Sequence, residues 1–303
     1  MDVDPGHDDA LALFLAAGHP AVEVVSVSAV AGNQSLAKTA ANALRVARFA
    51  GLRVPVAAGM DRPLVREAVH APEIHGESGL DGPALPDPEP GLGLDPRHGV
   101  DLLTEAFSRP GEVTLVATGP LTNVAMALLR DPSLVQRIPR IVLMGGSVGL
   151  GNVTPAAEFN IFFDAEAARI VFRSGIPIVM MGLDVTHQAL ATPEAVEALR
   201  AAGRVGRVAA ELLDFFGASY QRVFGFPAPP VHDACTVAYL IEPSLFTLRP
   251  MAVEVECLGP LTYGRTVCDV HGVTGRPPNA EVAMQLDAPA FWRLMVEAIA
   301  RLG

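Results

Sequence analysis

The sequence predicts a single α/β domain built on an open, mainly parallel sheet with helices on both faces. Short β-branched and apolar runs alternate with helical segments through the first two thirds of the chain, as in β–α–β units. Half of the 303 residues are apolar, so the chain can bury a large core. We find no internal repeat and no break in composition. Residues 1–303 are therefore interpreted as one domain.

The predicted elements follow one another at short intervals. Residues 22–30 are rich in valine and predict a strand, and a helix is predicted over residues 35–50. The remaining predicted strands are residues 54–58, 113–117, 141–144, 176–181, 252–257 and 282–286, and the remaining helices begin near 121, 165, 193, 232 and 287.

Residues 59–97 are rich in proline, glycine and acidic residues. This segment is too long for an ordinary connection between two elements. Loops of this kind commonly shield a site from water. We therefore expect an active-site loop that closes over a bound ligand.

Four carboxylates, Asp2, Asp4, Asp8 and Asp9, lie within the first nine residues. Pro5-Gly6 predicts a sharp turn, and the apolar run after Asp9 predicts a buried helix. Helix capping accounts for one or two of these acids but not for all four. Like charges this close destabilise a fold unless a cation neutralises them, so the segment predicts a divalent metal site.

Only Met1 precedes this acidic cluster, although a central strand usually has about 5–6 residues. The first strand is thus expected to be very short. At the sequence level we expect the natural protein to begin several apolar residues upstream of Met1, or a partner subunit to cover the gap.

Composition narrows the class of protein. The chain has 22 Lys and Arg against 33 Asp and Glu, a formal net charge of -11, which argues against nucleic-acid binding. Three cysteines cannot all pair internally and indicate reduced thiols in a cytoplasmic protein. No apolar run approaches the roughly 20 residues that span a bilayer, and no signal peptide is evident.

Polar residues recur where the predicted strands end. In a doubly wound sheet these ends meet at one edge, where ligands bind. Carboxylate, amide and carbonyl oxygens favour a hard cation such as calcium, together with a polyhydroxylated ligand. The residues concerned are Asp4, Asp8, Asp9, Asn33, Thr118, Asn152, Glu158 and Asn160. His232 and Asp233 follow a proline-rich loop and open a helix, and they are expected to meet the others at the same edge.

Six blocks, in this order, resemble the inosine-uridine-preferring nucleoside hydrolase family. The blocks are residues 2–13 (DVDPGHDDALAL), 32–34 (GNQ), 117–123 (ATGPLTN), 144–146 (MGG), 157–160 (AEFN) and 231–235 (VHDAC). The resemblance implies the Rossmann-like nucleoside hydrolase fold and hydrolysis of a nucleoside to ribose and free base. It also implies a homodimer or homotetramer.

The same resemblance implies one calcium ion held by Asp4, Asp9, Asp233 and the carbonyl of Thr118. Asp4 would also be the general base, next to a water made more acidic by the metal. Asp2 is expected to brace the loop. The substrate-binding set implied for the ribose and base is Asp8, Asn33, His75, Met144, Asn152, Glu158 and Asn160.

His232 is expected to protonate the departing base, since an ordinary imidazole titrates near neutral pH. The alternative is a packed histidine that only orients Asp233. His75 is expected to contact the base or the 5′-hydroxyl, and the other histidines to be surface or packing residues. The sequence does not decide which of four side chains meets the base: Tyr220, Gln221, Arg222 or Phe224.

Two other classes of function compete with this interpretation. A metal-dependent phosphatase also places paired acids after a strand, but it needs Thr or Val two residues after its second acid, where this chain has Gly6. Lys38 is also the only lysine available. A nucleoside- or ribose-binding protein without turnover is the non-enzyme alternative, and the presence of Asp4 as a base argues against it.

Overall fold

The computed structural model describes residues 1–108 and 113–303. Within these ranges the strands are β1 (Asp2–Val3), β2 (Val27–Ala29), β3 (Val56–Ala58), β4 (Leu115–Ala117), β5 (Ile141–Met144), β6 (Ile178–Met181), β7 (Phe246–Met251), β8 (Val253–Val255), β9 (Thr266–Cys268) and β10 (Ala280–Leu286).

The helices alternate with the strands over most of the chain. They are α1 (His7–Gly18), α2 (Leu36–Phe49), α3 (Pro72–His75), α4 (Gly99–Ala106), α5 (Thr122–Arg130), α6 (Leu134–Arg137), α7 (Phe159–Phe163), α8 (Ala165–Phe172), α9 (Leu183–Thr186), α10 (Pro193–Arg200), α11 (Gly203–Phe224), α12 (Ala234–Ile241) and α13 (Ala288–Ala300).

Eight of these strands form one sheet in the order β3-β2-β1-β4-β5-β6-β10-β7. Its neighbouring strands are parallel except for β7, which runs antiparallel to β10 at the edge. β8 and β9 form a separate antiparallel hairpin. The structure confirms the predicted open, mainly parallel α/β sheet.

Both faces of the sheet are buried. Along β5, Val142 belongs to one apolar cluster, while Ile141 and Leu143 belong to a second cluster on the other face. This alternation is expected, since successive side chains of a strand point to opposite faces. The first cluster includes side chains of α1, α2 and α11, and the second includes those of α4, α5 and α8. Helices therefore cover both faces, as predicted.

Some predicted element bounds are wrong. The strand predicted over residues 22–30 is formed only by Val27–Ala29. Its neighbour β1 begins at Asp2, so residues 22–26 have no strand beside them on that side. The edge strand β7 was not predicted, because exposed polar residues such as Arg249 interrupt its apolar pattern. The strand predicted over residues 252–257 is the shorter β8.

β1 has only two residues, as expected, although it lies in the middle of the sheet. Beyond its amino end lies a cavity of about 510 Å³, lined by Met1, by residues 21–26 and by residues 113–116, among others. The amino group of Met1 donates a hydrogen bond to the carbonyl of Ser26, 2.8 Å away.

Residues 59–97 contain the four-residue helix α3 and otherwise no helix or strand. The segment is ordered by contacts with the rest of the domain at α3, where Ile74 and His75 are buried. Arg222 of α11 donates a hydrogen bond to the carbonyl of Glu73 at 2.7 Å. No helix in residues 1–108 and 113–303 is long and apolar enough to cross a membrane.

Candidate active site

The site lies where the strand order reverses. β2 and β3 follow β1 on one side, whereas β4, β5 and β6 lie on the other side. In open α/β sheets, ligands bind at the carboxyl ends of the strands at such a switch point. Asp4 follows β1 and Thr118 follows β4, so these two residues lie at the switch.

One pocket at this edge is lined by every predicted site residue except Asp4 and Asp9, both of which are almost completely buried. The predicted residues that line it are Asp8, Asn33, His75, Thr118, Met144, Asn152, Glu158, Asn160, His232 and Asp233. The fold therefore brings together segments that are up to 225 residues apart in sequence, from Asp8 to Asp233.

The turn at Pro5-Gly6 brings Asp9 back against the backbone that precedes it. Asp9 accepts hydrogen bonds from the backbone N–H of Gly6 at 3.0 Å and from the hydroxyl of Thr118 at 2.7 Å. Asp4 accepts one from the backbone N–H of Asn33 at 2.7 Å through its Oδ2 atom. Its other oxygen, Oδ1, is buried and has no hydrogen-bond partner among the described residues.

The carboxylates of Asp8, Asp9 and Asp233 gather beside Asp4. Each offers one oxygen, and these three oxygens lie within 4.8 Å of one another. Burial raises the pKa of Asp8 to about 8, with a further contribution from Asp9. Burial also raises the pKa of Asp4 and of Asp233 well above the ordinary value, and their acidic neighbours add to both shifts. Protein groups alone thus leave this cluster poorly neutralised.

Asp2 has the bracing role expected of it. Its Oδ1 atom accepts hydrogen bonds from the hydroxyl of Ser28 at 2.5 Å and from the amide of Asn123 at 2.8 Å. These partners lie beside β1 on the neighbouring strand β2 and on α5. Asp2 therefore connects the acidic segment to both halves of the sheet.

Glu158 shapes the opposite wall of the pocket. Its carboxylate accepts hydrogen bonds from the backbone N–H groups of Gly146 and Asn160, each at 2.8 Å. Burial raises its pKa to about 7, although these hydrogen bonds act in the opposite direction. The Asn160 amide donates to the Thr118 carbonyl at 2.6 Å, so this carbonyl, predicted to bind metal, is already aligned by the site.

His232 lies between two hydroxyl groups. Its Nδ1 atom is 2.7 Å from the hydroxyl of Thr186, and its Nε2 atom is 2.7 Å from the hydroxyl of Tyr220. Burial, with the nearby His187, lowers the pKa of His232 well below the ordinary value. The ordinary value near neutral pH expected from the sequence is therefore wrong, because the imidazole is 4% exposed.

His75 reaches the pocket from the long loop. Its Nδ1 atom lies 3.2 Å from Nδ1 of His7, and the two rings stack with centroids 5.4 Å apart. His7 also donates from Nε2 to the carbonyl of Asp81 at 2.8 Å, since a carbonyl can only accept. His7 was expected to be a surface or packing residue. It packs, and it also connects the acidic segment to the loop.

The structure decides which side chains of α11 line the pocket. Tyr220 and Phe224 line it, as does Phe216, which sequence reasoning missed. Gln221 and Arg222 are exposed and do not line it. A helical spacing of four residues from Tyr220 was the signal that Phe216 and Phe224 share its face.

Fold and site together define a ligand-binding α/β enzyme whose carboxylates gather at the switch point of the sheet. The profile of the family described as "inosine-uridine preferring nucleoside hydrolase" matches residues 1–293. The chain therefore belongs to this nucleoside hydrolase family and is a ribonucleoside hydrolase.

Two curated relatives match almost the whole chain. The pyrimidine-specific ribonucleoside hydrolase RihA of Citrobacter koseri is 48% identical over 304 residues, covering 99% of this chain and 97% of the relative. The pyrimidine-specific ribonucleoside hydrolase RihB of Escherichia coli is 44% identical over 302 residues, covering 99% of this chain and 96% of the relative.

Solved structures confirm the fold. The purine-preferring ribonucleoside hydrolase from Gardnerella vaginalis superimposes with a TM-score of 0.92 at 32% identity, covering 99% of this chain and 97% of that chain. A plant nucleoside hydrolase superimposes with a TM-score of 0.89 at 33% identity over the same shares. The Gardnerella vaginalis structure is named for a purine preference, whereas the two curated relatives are named for pyrimidine specificity.

Proposed function

We propose that this protein is a calcium-dependent N-ribohydrolase whose principal substrates are pyrimidine ribonucleosides such as uridine and cytidine. The observation that carries the proposal is the group of buried carboxylates at the switch point of the sheet. The names of the two curated relatives support the pyrimidine preference.

The donor set fits calcium, which takes about 6–8 oxygen ligands from carboxylates, carbonyls and water. Asp4, Asp9, Asp233 and the Thr118 carbonyl would hold it. The buried Oδ1 atom of Asp4 has no partner among the described residues and is the kind of oxygen a cation would satisfy. When bound, calcium would hold ribose hydroxyls and lower the pKa of a water molecule.

The position of Asp8 suits two roles, that of a metal ligand and that of a ribose-binding residue. Its carboxylate is as close to Asp9 and Asp233 as a shared metal ligand would be, yet it also lines the pocket. We assign it to the ribose hydroxyls. Asp8→Asn should then raise KM for the nucleoside with little change in calcium affinity, whereas Asp9→Asn should weaken calcium binding itself.

In this proposal Asp4 accepts the proton of the attacking water. Its Oδ2 atom is held by the backbone N–H of Asn33, while its buried Oδ1 atom has no hydrogen-bond partner among the described residues. The attack is on the anomeric carbon of a ribose with oxocarbenium character. Asn33, Asn152, Glu158 and Asn160 bind the ribose hydroxyls, each of which needs a donor and an acceptor.

His232 and Tyr220 face the pocket where the base would leave. Because His232 is held neutral at neutral pH, it carries one ring proton and not two. To act as the acid, His232 must first take up a second proton; the Tyr220 hydroxyl, 2.7 Å from Nε2, can then donate its proton to the departing base and regain one from Nε2, which leaves both residues neutral. Phe216 and Phe224 offer aromatic surfaces beside them, which suits a planar base.

The test is a turnover assay with uridine, cytidine, inosine and adenosine, with and without inorganic phosphate. The expected products are free ribose and free base at a rate that does not depend on phosphate. Tight binding of uridine without release of ribose would show a binding protein instead. A phosphate-dependent rate with a phosphorylated sugar as product would show a phosphorylase.

A further inference from the structure

The wall of the pocket that carries Asn152 is a loop without helix or strand, residues 147–157, which we call the Asn152 loop. It connects β5 to the start of α7. The Asn152 side-chain oxygen accepts a hydrogen bond from the backbone N–H of Phe159 at 2.9 Å. Its amide nitrogen makes no hydrogen bond to any residue the structure describes, so it remains available as a donor to a ligand.

Arg265 holds the outer side of this loop. Its guanidinium donates hydrogen bonds to the carbonyls of Gly149 at 2.5 Å, Val148 at 2.8 Å and Ala156 at 3.4 Å. These carbonyls come from both arms of the loop. A planar guanidinium with five fixed N–H groups can hold several carbonyls at once, which a lysine cannot do with the same geometry.

Asp184, at the start of α9, holds the opposite backbone groups. Its carboxylate accepts hydrogen bonds from the backbone N–H of Val148 at 2.6 Å and of Gly149 at 3.0 Å. The same two residues thus give their carbonyls to a cation and their N–H groups to an anion. Hydrogen bonds to charged groups are stronger than neutral ones, so this arrangement strongly favours one loop conformation.

Thr266, next to Arg265, holds the first residue of the loop. Its hydroxyl donates to the Ser147 carbonyl at 2.7 Å and accepts from the Ser147 backbone N–H at 2.8 Å. The contact is close, because a Cβ atom on the preceding Gly146 would lie 2.6 Å from the Thr266 side chain. Gly146 also has a φ of +74°, which favours glycine.

We propose that Arg265, Thr266 and Asp184 are positioning residues that fix the Asn152 loop and thereby set the affinity of the site for ribose. None of the three lines the pocket. Arg265 and Thr266 belong to the β8–β9 hairpin, which is not part of the main sheet. This inference rests on the proposed function, in which Asn152 binds a ribose hydroxyl.

The effect should fall on KM more than on kcat. The hydrogen bonds of Arg265 among the described residues all go to carbonyls of the Asn152 loop and none to Asp4 or His232, so its loss leaves the groups that move protons in place. A loop that samples other conformations presents Asn152 correctly for less of the time, and a displacement of about 1 Å is enough to weaken a positioned contact. Saturating substrate restores the productive conformation.

The experiment is a double-mutant cycle with Arg265→Ala and Asn152→Ala, using uridine with calcium present. Arg265→Ala should raise KM about tenfold, the scale of one lost positioned hydrogen bond. In the Asn152→Ala background it should add less than about twofold, since coupled residues are not additive. Arg276→Ala is the matched control: Arg276 donates to Glu254 of the same hairpin at 2.7 Å and, among the described residues, makes no hydrogen bond to the Asn152 loop.

Thr266→Val keeps the shape of the side chain and removes both bonds to Ser147, so it tests the same idea if Arg265→Ala does not fold. An unchanged KM in these variants, or full additivity with Asn152→Ala, would overturn the proposal. An unchanged KM in Asn152→Ala alone, with ribose still released, would overturn it by removing Asn152 from the ribose site. Absence of ribose release by the unaltered protein would instead refute the proposed function.

Discussion

The two ends of the same central strands differ in how they are filled. At the carboxyl ends of β1 and β4, buried carboxylates and amides meet in a pocket. At the amino ends, a cavity of about 510 Å³ lies between residues 22–26 and 113–116. The carboxyl end of the sheet therefore carries the functional groups, whereas the amino end contributes only packing.

The carboxyl end is locally unfavourable for folding. Oδ1 of Asp4 and Oδ2 of Asp2 are buried without partners among the described residues. Unmet buried polar atoms cost stability, and like charges add to the cost. This strain is understandable if a cation and a sugar complete the site. The amino end has a different defect, since burial lowers the pKa of the Met1 amino group to about 6.

The largest effect is expected for Asp4→Asn. Loss of a general base costs about 10²–10⁴-fold in kcat, and a weakened metal site adds to the loss. The asparagine keeps the shape of the side chain, so the melting temperature of the metal-free protein should not fall. The measurement is kcat for uridine at saturating calcium. More than roughly a tenth of the original rate would show that Asp4 is not the base.

A smaller and selective effect is expected for His232→Ala. A pyrimidine or purine leaves more easily when it is protonated, whereas p-nitrophenolate leaves without a proton. The variant should therefore lose about 10²-fold on uridine or inosine and little on p-nitrophenyl riboside. Thr186→Val and Tyr220→Phe remove one hydroxyl partner each and serve as graded comparisons. Equal losses on both substrates would place His232 on the ribose or metal side.

The next effect is the joint influence of calcium and pH on the melting temperature. Burial raises the pKa of Asp2 to about 6, of Glu158 to about 7 and of Asp8 to about 8. A raised pKa in the folded state means that these groups stabilise the fold below their ordinary values, and that this stability is lost as pH rises through the raised values.

The metal-free protein should consequently melt at a lower temperature near about pH 8 than near about pH 5.5. Calcium should raise the melting temperature more at the higher pH, because it competes with protons for the carboxylates of Asp4, Asp9 and Asp233, whose pKa values burial also raises. Magnesium, which requires a smaller octahedral site, is the control and should stabilise less. A calcium effect that is independent of pH would contradict the link between the ion and the carboxylates.

The smallest effect concerns the amino end. Four apolar residues placed before Met1 should extend β1 into the cavity and replace the buried amino group by a peptide N–H. The expected gain in melting temperature is about 2 °C or more, with kcat and KM unchanged. A Gly-Ser extension of the same length is the control and should give no gain. A change in kcat would contradict the claim that the amino end of the sheet contributes only packing.

The parallel strands and the polar residues at their carboxyl ends could be predicted from the sequence. Strands such as β5 are continuous apolar runs, because both faces of a parallel sheet are buried, and a polar site residue such as Thr118 follows the apolar run of β4 directly. The contact of His7 with His75 joins residues 68 apart and has no local signal. Arg265 is equally unmarked in sequence, since it binds backbone carbonyls, which every residue carries.

The central claim is that one calcium ion, held by the carboxyl-end cluster, makes this protein a ribonucleoside hydrolase. The most direct measurement is the release of ribose from uridine while protein freed of metal is titrated with calcium. The account predicts that activity is absent without calcium and saturates at one equivalent, and that Asp9→Asn requires far more calcium. Full activity in the presence of a strong chelator, with no bound ion detected, would contradict it.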